Sequence, residues 1–318
     1  MNPRYCVFLL IVVLLFAVAD ASPQASNNGQ TAVVLNAGPC IAPGVPAGCG
    51  GNGESTSVWY GLVRSVYVVT PNHYAEGIGI DTPKFGDLIA IEIFSPKDRA
   101  QGQQPVYNVG ERLALFIGGE RRGQIRIKKV LPFQCDSSAA LVSADPPIQL
   151  AKDAMALATN SEKLRPHANK QRHADPAESN YARQLALNEF RKHGVQEELA
   201  NKIKVDHLIV TRIDHTESDF LIGSLSVEAK DARHEVFLIG KIDASGATTE
   251  LAHYHKTTDL LEGTDSEYVR LVDQLDFDGD GTDEIVVEVR GYEDEEFGIY
   301  RRLNGVWNEV YVGGEGGC

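Results

Sequence analysis

The chain has 318 residues, with 30 Lys and Arg against 44 Asp and Glu, and a formal charge of −14 at pH 7. An acidic chain without a basic stripe is a poor partner for nucleic acid or anionic lipid, and a natural one for divalent cations. Apolar residues make up 43% of it, an ordinary share for globular protein and enough for two cores.

Residues 1–21 read as a signal peptide. Arg4 supplies the positive start, Val7 to Ala19 is unbroken apolar sequence, and Ala19-Asp20-Ala21 fits a small-x-small cleavage site. The expected mature chain begins at Ser22 and is secreted or periplasmic. No later apolar run approaches the ~20 residues of a membrane span. Cys6 leaves with the signal, so Cys40, Cys49, Cys135 and Cys318 remain, and in an exported chain they suggest two disulfides in one of three connectivities. The compact Pro/Gly loop GPCIAPGVPAGCG favours Cys40 with Cys49, which leaves Cys135 with Cys318.

Residues 22–56 are rich in Gly, Pro, Asn and Ser and read as a flexible leader. Residues 57–144 read as a β-sandwich-like domain, with a small barrel as the other form that such short strands allow. Its expected strands are Val58–Val69, Asp87–Ile93, Arg112–Ile117, Gln124–Val130 and Ala139–Val142. Ile89, Ile91 and Ile93 alternate onto one face, as do Ile125 and Ile127. The runs FGDLIAIEI and LALFIGG loosely resemble an immunoglobulin-type sandwich. Residues 145–174 open with Pro146-Pro147 and turn polar, which predicts a linker with some helix near Leu150–Leu157.

Residues 175–318 read as an α+β domain: one helix, then an antiparallel β meander. Asp175 is a fitting N-cap, Pro176 a fitting first residue, and Glu178 sits where a capping-box acid belongs. Ala182, Leu185, Ala186 and Phe190 form the apolar stripe, and Gly194 ends the helix. Strands are expected at His207–Ile213, Phe220–Val227, Glu235–Ile242, Thr249–Lys256, Tyr268–Leu275, Ile285–Val289, Gly298–Leu303 and Val306–Val312. Asn304-Gly305 between the last two is a hairpin signal, because both residues tolerate the positive φ of a type I′ turn. The whole is mostly β, and the strand count would allow a partial propeller.

The segment DFDGDGTDE, Asp276 to Glu284, has spacing that dictates a chemistry. Asp276, Asp278 and Asp280 occupy positions one, three and five of a curled loop, Gly281 permits the sharp turn, the Thr282 carbonyl is position seven and Glu284 position nine. Oxygen donors that converge in this way suit Ca²⁺, and a divalent cation would relieve the mutual repulsion of the carboxylates. An EF-hand would need a Glu at position twelve, where Val287 stands, and an exiting helix, where the apolar strand Ile285-Val286-Val287 follows. The segment from Leu271 to Val289 instead resembles the calcium loops of FG-GAP and VCBS-type repeats, which place D-x-D-x-D-G before an apolar strand. That resemblance implies Ca²⁺ held by Asp276, Asp278, Asp280, the Thr282 carbonyl and Glu284. The ending IYRRLNGVWNEVYVGGEGGC is similar in style to those of uncharacterised exported bacterial proteins.

Other constellations are weaker. His253 and His255 share a strand face, a geometry that chelates zinc or copper, but no third ligand is identifiable. Glu293 to Glu296 reads as a solvated hairpin tip. Trp59, Tyr60, Tyr292, Tyr300 and Trp307 read as core residues before they read as a carbohydrate platform. No nucleophile elbow, phosphate loop, dinucleotide fingerprint or zincin motif occurs, so no catalytic residue is singled out. The expectation is an exported calcium-binding protein acting as a binding or surface-interaction protein, with a cell-surface or extracellular glycan or protein as partner. The alternative is a secreted hydrolase of polysaccharide or peptide with structural Ca²⁺.

Overall fold

The computed structural model of the chain describes residues 65–71, 87–94, 107–131, 139–151, 154–161, 164, 171–216 and 218–317. The signal peptide, the leader, Trp59, Tyr60, all four mature cysteines and hence both expected disulfides lie outside these residues.

The first six strands are β1 (Val66–Pro71), β2 (Leu88–Phe94), β3 (Arg112–Ile117), β4 (Glu120–Leu131), β5 (Ala139–Asp145) and β6 (Ala156–Thr159). They pair antiparallel in the order β1-β2-β5-β4-β3-β6, and β6 returns to β1. The result is a closed barrel rather than a two-sheet sandwich. Closure depends on β6, whose first two residues fall at the end of the Leu150–Leu157 stretch where the sequence predicts some helix: Ala156 and Ala158 point inward, beside Ala90 and Ala140. Such small side chains leave room for Tyr67, Leu113, Leu115, Ile125 and Ile127 inside a narrow barrel. Part of the expected linker is therefore a barrel strand.

The outer face of β1, β2, β3 and β6 is also apolar. Val66, Val68, Ile93, Phe116 and Leu157 pack against Val272, Leu275, Phe277, Val286, Phe297 and Ile299. Apart from Phe277, which lies just after β12, those partners belong to a four-stranded antiparallel sheet, β12 (Tyr268–Leu275), β13 (Glu284–Arg290), β14 (Asp294–Leu303) and β15 (Val306–Gly317). In the β14–β15 turn, Asn304 has φ 53° and Gly305 φ 81°, as the type I′ expectation requires. A side chain added at Gly314 of β15 would sit 3.0 Å from Ile93 of β2, so this strand lies directly on the barrel.

The opposite face of the four-stranded sheet packs on a second sheet. Its order is β11 (Gly246–Thr257), β10 (Arg233–Asp243), β9 (Asp219–Glu228), β8 (Lys204–Thr211) and β7 (Arg172–His173). Phe220, Ile222, Phe237 and Ile239 of this sheet meet Leu271, Ile285, Val287, Tyr300 and Trp307. Helix α1 (Pro176–Lys192) covers its far side through the predicted stripe Ala182, Leu185, Ala186 and Phe190. Asp175 accepts from the Glu178 amide and Glu178 from the Asp175 amide, which completes the capping box. Burial of Leu185 and Phe190 stabilises the helix by about 2–3 kcal/mol each. The expected meander is thus present but divided into two open sheets, stacked as barrel, sheet, sheet and helix. β9, β10 and β13 are apolar on both faces because both faces are covered.

Candidate metal centre

The acidic segment is the loop that joins β12 to β13, closed at its base by the pairing of Leu275 with Glu284. Phe277 is fully buried in the core shared with the barrel and anchors the loop. Backbone amides then wind the loop onto its own carboxylates. Asp276 accepts from Gly279 N at 2.6 Å and Gly281 N at 3.0 Å, Asp278 from Asp280 N at 2.9 Å, and Asp280 from Thr282 N at 2.8 Å. Gly281 has φ +91°, which favours glycine at the turn, and a Cβ there would lie 2.8 Å from His215 Nε2 and push that ring aside.

The winding brings three of the predicted residues together. Asp276, Asp278 and Glu284 each offer a carboxylate oxygen, and these oxygens lie within 4.8 Å of one another. Asp280 is turned toward Arg301, whose guanidinium is 2.9 Å from its Oδ2. Thr282 follows on the same loop, with its amide on Asp280. Glu284 is 1% exposed; its Oε2 accepts from Phe277 N at 2.7 Å, while its Oε1 has no hydrogen bond.

Electrostatics at the loop follow from this burial. Desolvation, reinforced by Asp278, pushes the Glu284 carboxyl far above the usual carboxylate range. Asp283 is pushed up to about 8, by burial first, with Asp276 and Asp273 adding to it. Asp278 is also raised by burial, although the Asp280 amide and Arg301 oppose the shift. All the donors here are oxygen and most are acidic, so the set fits a hard cation, with Glu284 Oε1 as an acceptor whose hydrogen-bonding capacity is unused.

Two features of this region are not legible in the sequence. Arg301 of β14 contacts Asp278, Asp280 and Glu284, which makes it the local counter-cation. The register Ile285 with Tyr300 brings Arg301 opposite Glu284, and only the sheet pairing reveals that. The second feature is a buried polar seam behind the loop. Gln274 Nε2 donates to Asp283, Thr211 Oγ1 and the Arg212 carbonyl, and the Asp283 amide donates to Ile213 O at 2.6 Å. One residue back, Asp273 Oδ1 accepts from Gly119 N, Gln171 Nε2 and Gln274 N at 2.8–2.9 Å, which ties the β3–β4 hairpin of the barrel to β12.

The weaker constellations resolve differently. His253 Nε2 lies 2.5 Å from Glu267 Oε1, and His255 Nε2 lies 2.5 Å from the Asp265 carbonyl, so neither ring is merely solvated. In the run Glu293 to Glu296, Glu293 and Asp294 are exposed at the β13–β14 turn, as expected of a hairpin tip, while Glu295 and Glu296 belong to β14 and are partly buried. Glu295 is half-buried, and burial together with Glu288 raises its carboxyl to about 7. Tyr300 and Trp307 are core residues, each 5% exposed, and Tyr292 is exposed apart from them. No helix among the described residues is long and apolar enough to cross a membrane. No family model, curated protein or solved structure matches the chain.

Proposed function

We propose that the chain is an exported calcium-binding protein in which Ca²⁺, held by Asp276, Asp278, Glu284, Asp280 and the Thr282 carbonyl, braces the β12–β13 hairpin. On this reading the protein serves as a binding or surface-interaction protein whose partner is an extracellular glycan or protein. The observation that carries the metal assignment is Glu284, whose carboxylate converges with those of Asp276 and Asp278 and whose buried Oε1 makes no hydrogen bond. A hard dication supplies there the positive charge that would let three crowded carboxylates stay ionised. FG-GAP-like spacing and the apolar strand that follows it support the same reading.

The test is calorimetric titration of residues 22–318 with CaCl₂, next to an Asp276→Ala/Asp278→Ala variant and a Glu284→Gln variant. Saturable binding is expected in the wild-type chain, with loss in the double variant and at least about tenfold weakening in Glu284→Gln. Absence of binding at millimolar Ca²⁺, with the wild-type chain folded, overturns the assignment.

A further inference from the structure

Resting on the calcium reading, we propose that Arg301 is a tethered competitor for the metal centre: its guanidinium engages the loop carboxylates when the ion is absent and must withdraw when the ion binds. Arg301 contacts Asp278 Oδ2, lies 2.9 Å from Asp280 Oδ2, and lies 3.5 Å from Glu284 Oε1. Asp278 and Glu284 are two of the three residues whose oxygens converge, so guanidinium and cation claim the same carboxylates.

Two further details mark the arginine as a substitute that does not fully satisfy the site. Arg301 Nε and Glu284 Oε1 face each other at 3.5 Å, yet neither makes a hydrogen bond. Arg301 carries one positive charge, while Asp276, Asp278, Asp280 and Glu284 together carry up to four negative ones. A guanidinium does not deprotonate in proteins, so it leaves only by moving. The neighbouring Arg302 points to the other face of β14, where it is fixed by Glu250 at 2.7 Å. The strand can therefore stay in place while the Arg301 side chain, 13% exposed, swings toward solvent.

Competition of this kind reduces the apparent affinity by the fraction of molecules in which the arginine has withdrawn. Its removal should then tighten Ca²⁺ binding, whereas a residue that positions the carboxylates would weaken binding when lost. The experiment titrates CaCl₂ into wild-type, Arg301→Gln and Arg301→Lys chains (residues 22–318) and records thermal unfolding of each in EDTA and in excess Ca²⁺. Arg301→Gln is expected to bind on the order of tenfold more tightly, corresponding to a competent fraction of about one tenth in the wild type. Arg301→Lys keeps the charge but loses the fork, so its affinity should fall between the two. In EDTA the Gln variant should melt below wild type, and excess Ca²⁺ should close or reverse that gap. If Arg301→Gln does not fold, Arg301→Lys decides: tighter binding than wild type supports competition. Equal or weaker binding in the variant that decides overturns the competitor role while leaving the calcium reading intact. Absence of Ca²⁺ binding in wild type and variants alike removes both.

Discussion

Asp273 offers the sharpest test of the electrostatics. Its side chain is 1% exposed, with three donors on Oδ1 and no hydrogen bond on Oδ2. Burial lifts its carboxyl from an ordinary 3.8 to about 7, against the opposing pull of those donors. Between these values the folded chain keeps a proton that the unfolded chain has released. Stability from this group is therefore fully present below about pH 4, falls as pH rises, and levels off above about pH 7. The slope is about 1.4 kcal/mol per pH unit, which gives about 3 kcal/mol between pH 4.5 and 7. Asp273→Asn keeps an oxygen for the Gly119, Gln171 and Gln274 donors and removes the titration. Urea unfolding of both chains at pH 4.5, 6 and 7.5 should show the variant near wild type in acid and progressively more stable than wild type toward pH 7.5. Asp283, which Asp273 helps to raise, titrates lower in the variant and adds to the difference in the same direction. A stability difference that does not change with pH would refute the reasoning.

Other consequences are as direct. Asp175→Ala removes one half of the capping box at the start of α1 and should cost about 1 kcal/mol in urea unfolding. Gly223→Ala would set a Cβ 2.1 Å from the His207 carbonyl on the neighbouring strand; overpacking of a sheet centre should cost about 3 kcal/mol or more, read as lost soluble yield or a lower urea midpoint. Burial pulls His253 down, but the Glu267 bond and the Glu309 and Glu296 carboxylates outweigh it and hold the imidazole above its usual 6.5. The stability this adds is present below pH 6.5 and is lost as pH rises through the elevated value. In Glu267→Gln the His253 ring, followed by NMR titration, should titrate lower than in wild type.

How much of this was legible depends on whether a signal is local. The helix was, because Asp175, Pro176 and Glu178 define its start within four residues and the Ala182 to Phe190 stripe defines its buried face. Strands of the second half were legible from apolar runs, although β9 and β10 lose alternation where helix and sheet cover both faces. β6 was not: four small or apolar residues favour helix as much as strand, and only the gap between β1 and β3 makes them a strand. The same division holds at the acidic loop. The spacing of DFDGDGTDE points to the convergence of Asp276, Asp278 and Glu284, although Asp280 turns to Arg301 instead. Arg301, and the burial that raises Asp283, depend on sheet register and on which core lies beneath the loop, neither of which a linear pattern contains.

The placement of β15 on the barrel has a consequence for the order of events in biogenesis. β1 to β6 emerge from the ribosome first, yet Ile93 and its neighbours are covered by β14 and β15, the last strands described. Until those arrive, an early-made barrel exposes an apolar flank, and its completion waits on contacts more than two hundred residues away along the chain. Such long-range closure slows folding and leaves a window in which a holding chaperone has something to grip.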